Sequence, residues 1–196
     1  MKKFLCSLLA IGMISANAQD NDYKKSPTLL INLTTFDFKT AQAIRSSSLS
    51  TVFTEKKWSK LSSMNLGFGL SYLKGLYNHL DLMVSMNGAF VRYPFRDKAS
   101  YNNDALLLET DAVVNLKLLT DKHCVVPYLS GGFGVSTYSG VWGAYMPFGA
   151  GIQVKLLEDT YFLTNIQYRV PVTQEASSHF TYSIGFGTSL SPKKKS

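Results

Sequence analysis

The chain has 196 residues, with 20 Lys and Arg against 13 Asp and Glu, a formal charge of +7 and 45% hydrophobic residues. That length suits one domain, and five of the lysines, Lys2, Lys3 and Lys193 to Lys195, sit at the two ends, so the charge gives little support to a nucleic-acid partner. Mean hydropathy is +0.01, and no internal run approaches the roughly 18 apolar residues of a membrane helix, which leaves strands as the means of crossing a bilayer.

Met1-Lys2-Lys3, an apolar stretch from Phe4 to Ser15 and Ala16-Asn17-Ala18 together read as a cleaved export signal over 1–18. Cys6 leaves with that segment, so Cys124 is alone in the mature chain and no internal disulfide is expected. Residues 19–27 read as an N-terminal segment and 28–190 as the folded domain. Residues 191–196 form a basic tail, a solvated terminus with a phospholipid headgroup as the lesser option.

Within 28–190 the two-residue period of a β-strand recurs eight times. The first strand, Thr28 to Phe38, sets Leu29, Ile31 and Leu33 against Asn32 and Thr34. The second, Met64 to Tyr72, alternates most cleanly, with Leu66, Phe68, Leu70 and Tyr72 between Gly67, Gly69 and Ser71. In the third, His79 to Tyr93, Leu80, Leu82, Val84, Met86 and Phe90 oppose Asp81, Ser85, Asn87 and Ala89. The fourth, Ala105 to Leu119, sets Leu106, Leu108, Ala112, Val114, Leu116 and Leu118 against Glu109, Asp111, Asn115 and Lys117. The fifth spans Val125 to Ser136 and the sixth Ala144 to Lys155. The seventh runs from Thr160 to Val170 with Arg169 on its polar face, and the eighth from His179 to Leu190. Short links at Lys74-Gly75, Asp121-Lys122 and Glu158-Asp159 contrast with the long stretch from Lys39 to Ser63, and an even strand number places both termini in the periplasm.

Alternation leaves the orientation of the faces open, because a soluble lipocalin-like barrel has the same period with an apolar interior. Composition decides. The polar parity is mostly Gly, Ser, Asn and Thr, which suits a narrow lumen and not a water-washed exterior. Glycines in strands two, five, six and eight are expected to make room for longer side chains from strands three, four and seven. The apolar parity ends in aromatics, Tyr72 and Phe162 at one end and Phe90, Trp142, Tyr168, Phe180 and Tyr182 at the other, the pattern of membrane-interface girdles. The expected fold is an all-β, eight-stranded antiparallel up-and-down transmembrane barrel.

Asp81, Glu109, Asp111, Lys117, Lys155 and Arg169 fall on the inward parity and are the candidate site. Glu109, Asp111 and Arg169 should meet in an ion-pair cluster toward the external end, plugging the lumen or, on the sharper reading, gating a narrow ion path. Lipid-modifying catalysis needs a histidine oriented beside a serine or an acid. His79, His123 and His179 read as turn or rim residues, no acid is placed to orient the last, and no catalytic, cofactor-binding or metal-binding residues are expected. Ser130-Gly131-Gly132-Phe133-Gly134 lacks the Lys-Ser/Thr of a phosphate loop and reads as strand packing. Cys124 reads as a small buried hydrophobe. The first long loop, with Arg45, Phe53, Lys56, Lys57, Trp58 and Lys60, reads as solvated and mobile, with lipopolysaccharide phosphates or a protein surface as alternative partners.

Pro127-Tyr128-Leu129-Ser130-Gly131-Gly132-Phe133-Gly134, Gln167-Tyr168-Arg169-Val170-Pro171-Val172 and Tyr182-Ser183-Ile184-Gly185-Phe186-Gly187 make the chain resemble the small OmpA-like outer-membrane barrels common in Bacteroidetes-type bacteria. The resemblance implies an outer-membrane location, lipid contact, engagement of the barrel-insertion machinery through the last strand, and a non-enzymatic structural, envelope-integrity or surface-interaction role. A narrow solute channel and a soluble lipocalin-like binder are the alternatives. The chain stops six residues after Leu190, so the peptidoglycan tethering of relatives with a further domain is not expected here.

Overall fold

The computed structural model describes residues 24–95, 104–157 and 159–190. The expected signal segment 1–18 and the basic tail 191–196 lie outside the described residues. Among the described residues eight strands pair antiparallel in sequence order and close on themselves, β1 against β8. They are β1 Thr28–Asp37, β2 Asn65–Tyr77, β3 Leu80–Val91, β4 Ala105–Lys117, β5 Val125–Tyr138, β6 Val141–Leu157, β7 Thr160–Pro171 and β8 His179–Ser189. Closure pairs every strand on both sides, which a chain in hydrocarbon requires because no water is present to satisfy an open edge. β1 starts and β8 finishes at one end, called here the turn end; the long first connection lies at the other, the loop end.

The alternation decides the register. Along β4 Leu107, Glu109, Asp111, Val113, Asn115 and Lys117 are buried, while Leu106, Leu108, Val114 and Leu116 are exposed. The same holds around the barrel, where Ile31, Phe68, Met86, Phe133, Phe148, Ile166 and Phe186 stand outward. Phe68 and Phe133 are 67% and 70% exposed, a cost that only a hydrocarbon surrounding removes. A soluble lipocalin-like barrel has the opposite arrangement, so that alternative is set aside. Phe133→Arg is expected to cost about 2–4 kcal/mol of unfolding free energy in lipid vesicles, read from urea transitions. No change would show that this face does not meet lipid.

Two connections differ from the sequence reading. β2 continues past Lys74-Gly75 to Tyr77, and the turn is at Asn78-His79. Gly75 lies inside the strand because the N-terminal segment crosses it: a Cβ there would come within 2.6 Å of the Lys25 backbone nitrogen. The expected mobile loop instead folds into α1 (Phe38–Ser46), α2 (Leu49–Thr54) and a 3-10 turn at Leu61–Ser63. α1 begins where β1 ends because the Asp37 carboxylate accepts from the Thr40 amide at 2.9 Å, a helix N-cap. α1 buries Phe38, Thr40 and Ala41 over the loop end, and Val52 of α2 is wholly buried. At the same end but far shorter, the β5–β6 link is Ser139 and Gly140, both at positive φ (49° and 81°), the hairpin geometry that matches strand twist.

Candidate functional site

The lumen is a stack of layers. At the loop end Phe36, Phe38, Ala89, Val91, Tyr93, Leu107 and Tyr138 form an apolar plug, with Tyr93 and Tyr138 stacked at 5.2 Å. Toward the turn end Leu30, Leu73, Met83, Val113, Tyr161 and Leu163 form a second. Between them lie polar side chains around a cavity of about 20 Å³, lined by Asn32, Ser71, Ser85, Asn87, Asn165 and Gln167 among others. Such a space holds about one water molecule.

The inward glycines make this filling possible, with bulk from the expected β3 and β7, where Asn87 lies at Gly69 and Gln167 at Gly149, and also from strands not expected to give it. Tyr145 of β6 lies over Gly134 of β5, and Tyr128 of β5 over Gly151 of β6. Asn87 of β3 fills the space at Gly69, and Asn32 of β1 that at Gly185. Each of these side chains covers a glycine on a strand hydrogen-bonded to its own, so β1, β5 and β6 also supply large groups.

Charge occupies two separate sites. Under the loop-end plug, Arg169 pairs with Glu109 through Nη1 and with Asp111 through Nη2 at 3.0 Å, all three about 1% exposed. Tyr145 ties them together: its hydroxyl accepts from Arg169 at 3.1 Å and donates to Asp111 at 3.2 Å, and its ring lies 4.8 Å from the guanidinium. The cluster also contains a member that the sequence reading placed at the rim. His179 is buried, with Nδ1 2.9 Å from the Ser177 carbonyl and Nε2 3.3 Å from Glu109, so an acid does orient it. Phe38 covers its ring at 4.6 Å. Both ring nitrogens face a carbonyl or a carboxylate and not a hydroxyl, an arrangement that orients the ring without activating a nucleophile. The signal was present in parity: Thr181, Ser183 and Gly185 point inward, and His179 shares their phase.

Asp81 and Lys117 are not part of that cluster. They lie at the turn end, where Lys117 Nζ is 2.8 Å from Asp81 and 2.6 Å from Asp121, with Gln153 donating to Asp121 at 3.1 Å. Lys25 joins from the N-terminal segment, 3.7 Å from Asp121 and 4.1 Å above the Tyr161 ring. Burial lowers the Lys25 pKa to about 8, against the opposing pull of Asp121 and Asp81. Between pH 8 and the unfolded value of 10.5 the unfolded chain therefore holds a proton the folded one has released. Stability is expected to rise with pH through that window, and Lys25→Met should flatten the rise in denaturant titrations.

Lys155 does not enter the lumen. It is exposed, because Gln153 is the last inward residue of β6 before the strand bulges between Lys155 and Leu157. Cys124 is also exposed, on the β4–β5 connection at the turn end, where no core surrounds it. Among the described residues no group of His, Cys, Asp and Glu could hold a metal ion.

An outward apolar band, paired edges and a lumen filled by alternating apolar and polar layers define a closed eight-stranded transmembrane β-barrel of the bacterial outer-membrane type. The sequence matches no family model and no curated protein. Solved structures do match. The N-terminal β-barrel domain of Pseudomonas aeruginosa OprF superposes with a TM-score of 0.52 at 12% identity, over 84% of this chain and 98% of that one. Neisserial surface protein A superposes with a TM-score of 0.54 at 12% identity, over 85% and 99%. The likeness is one of fold, the OmpA-like barrel.

Proposed function

We propose that the chain is a non-enzymatic outer-membrane barrel with a structural or surface-interaction role, its loop end facing outward and its turn end in the periplasm. The observation that carries this reading is the closed lumen, with two apolar plugs and two ion-pair sites in series along one narrow bore. Such an interior holds the barrel together and leaves the loop end, where α1 and α2 make an ordered cap, as the surface for interaction.

Conductance of the folded barrel in planar lipid bilayers tests the role. The reading expects no steady current, whereas a current that changes with Arg169 would establish the narrow-channel alternative. Cys124 tests the orientation. A membrane-impermeant maleimide is expected to label it only after the outer membrane is permeabilised, with Cys124→Ser as the control. Labelling in intact cells would reverse the topology.

A further inference from the structure

The first connection returns to the barrel through a staple that places one basic segment at the outer rim. Asp37, besides capping α1, accepts from the Ser59 hydroxyl at 2.7 Å, and the Ser59 amide donates to Thr40 Oγ1 at 3.0 Å. Holding Ser59 against the end of β1 places Trp58 on the outside of the barrel, its ring 6.3 Å from that of Phe180. Phe180 is on the outward parity of β8 and contacts Tyr168 at 4.9 Å and Tyr182 at 6.2 Å, so Trp58 extends the loop-end aromatic girdle.

Around that ring Glu55 to Ser63 carries three lysines, Lys56, Lys57 and Lys60, against one acid, Glu55, which pairs with Lys57. All three lysines are exposed. Lys56 takes a left-handed backbone conformation (φ 52°), which turns the chain out of α2 toward the rim. Leu61 follows at 73% exposure. An aromatic ring at the girdle, an aliphatic side chain open to the surroundings and lysines beside them form the pattern of a segment resting at a membrane interface, with its rings at headgroup level and its ammonium groups on phosphates.

We propose that Lys56 to Leu61 is an interfacial anchor that binds the phosphates of anionic lipids in the leaflet around the loop end. It rests on the membrane reading above and gives that reading a specific lipid contact. Lys56 and Lys60 supply the charge, Trp58 fixes the depth, and Asp37 holds the segment in place so that little ordering remains to be done on binding.

The barrel has two tryptophans, Trp58 and Trp142, which allows each to be read alone. In a Trp142→Phe background, Trp58 fluorescence is measured in vesicles of phosphatidylcholine and of phosphatidylcholine mixed with phosphatidylglycerol. Acrylamide quenching should fall about twofold in the mixed vesicle and recover at high salt. The Lys56→Gln/Lys57→Gln/Lys60→Gln variant should lose the difference, and inorganic phosphate should not reproduce it. Equal quenching in the two vesicles, or a response kept by the triple variant, overturns the proposal, and a response to inorganic phosphate alone would make the site one for a free anion. Trp142, read in a Trp58→Phe background, separates the two readings. Quenching of Trp142 by brominated lipid shows an embedded barrel whatever Trp58 does, and its absence would remove the membrane reading itself.

Discussion

Arg169→Ala is expected to cost about 3–5 kcal/mol of unfolding free energy, because it strands two carboxylates inside a closed bore. Glu109 and Asp111 are both about 1% exposed, and among the described residues their cationic partner is this one guanidinium, with His179 beside Glu109. Tyr145 loses its place too, since its hydroxyl lies between Arg169 and Asp111. The measurement is a urea transition in lipid vesicles, followed by the shift between heated and unheated protein on a denaturing gel. Arg169→Lys should recover only part of the loss, because an ammonium cannot present the two-pronged donor that reaches both acids. Replacing Arg169, Glu109 and Asp111 together by leucine should recover most of it, since the penalty comes from unpaired charge and not from missing charge. A transition for Arg169→Ala that coincides with the parent would show that the cluster does not hold the barrel.

Lys117→Met should produce a loss of similar size, about 3–5 kcal/mol, at the other end of the lumen. Its ammonium bridges Asp81 and Asp121, and the side chains of Lys117 and Asp81 are wholly buried. Methionine keeps the length and the apolar stem and removes only the charge. A second cation there, Lys25, is 3.7 Å from Asp121 and comes from a segment held to β2 by the bond from the Gly75 amide to the Lys25 carbonyl, at 3.2 Å. The second change Asp81→Leu should restore most of the stability by pairing Asp121 with Lys25 alone. If Lys117→Met and Arg169→Ala are then combined, their costs should add, since an apolar layer separates the two clusters and among the described residues their ion pairs have no member in common. A clear departure from additivity would mean that the lumen responds as one network.

The strands, their order, the face that meets lipid and the inward positions of Glu109, Asp111, Lys117 and Arg169 were legible in the chain, because a period of two is local. Each residue's parity follows from its neighbours, and eight strands leave one way to close. Parity fails where the pattern is locally silent. Leu107, Val113, Leu30 and Met83 are apolar residues on the inward phase that the alternation does not mark, yet Leu107 belongs to the plug at the loop end and the other three to the layer that separates the two charge sites. Lys155 has the inward phase, but its height is past the rim, and height depends on stagger between strands. His179 sat beside a loop in the sequence; only the fold of α1 over the mouth buries it. The two-residue period fixes the inward phase of each strand. Which inward side chains reach the lumen and which of them meet follows from the closed barrel, because contact across it depends on strand tilt, register and the cap contributed by a connection, and none of these is written in that period.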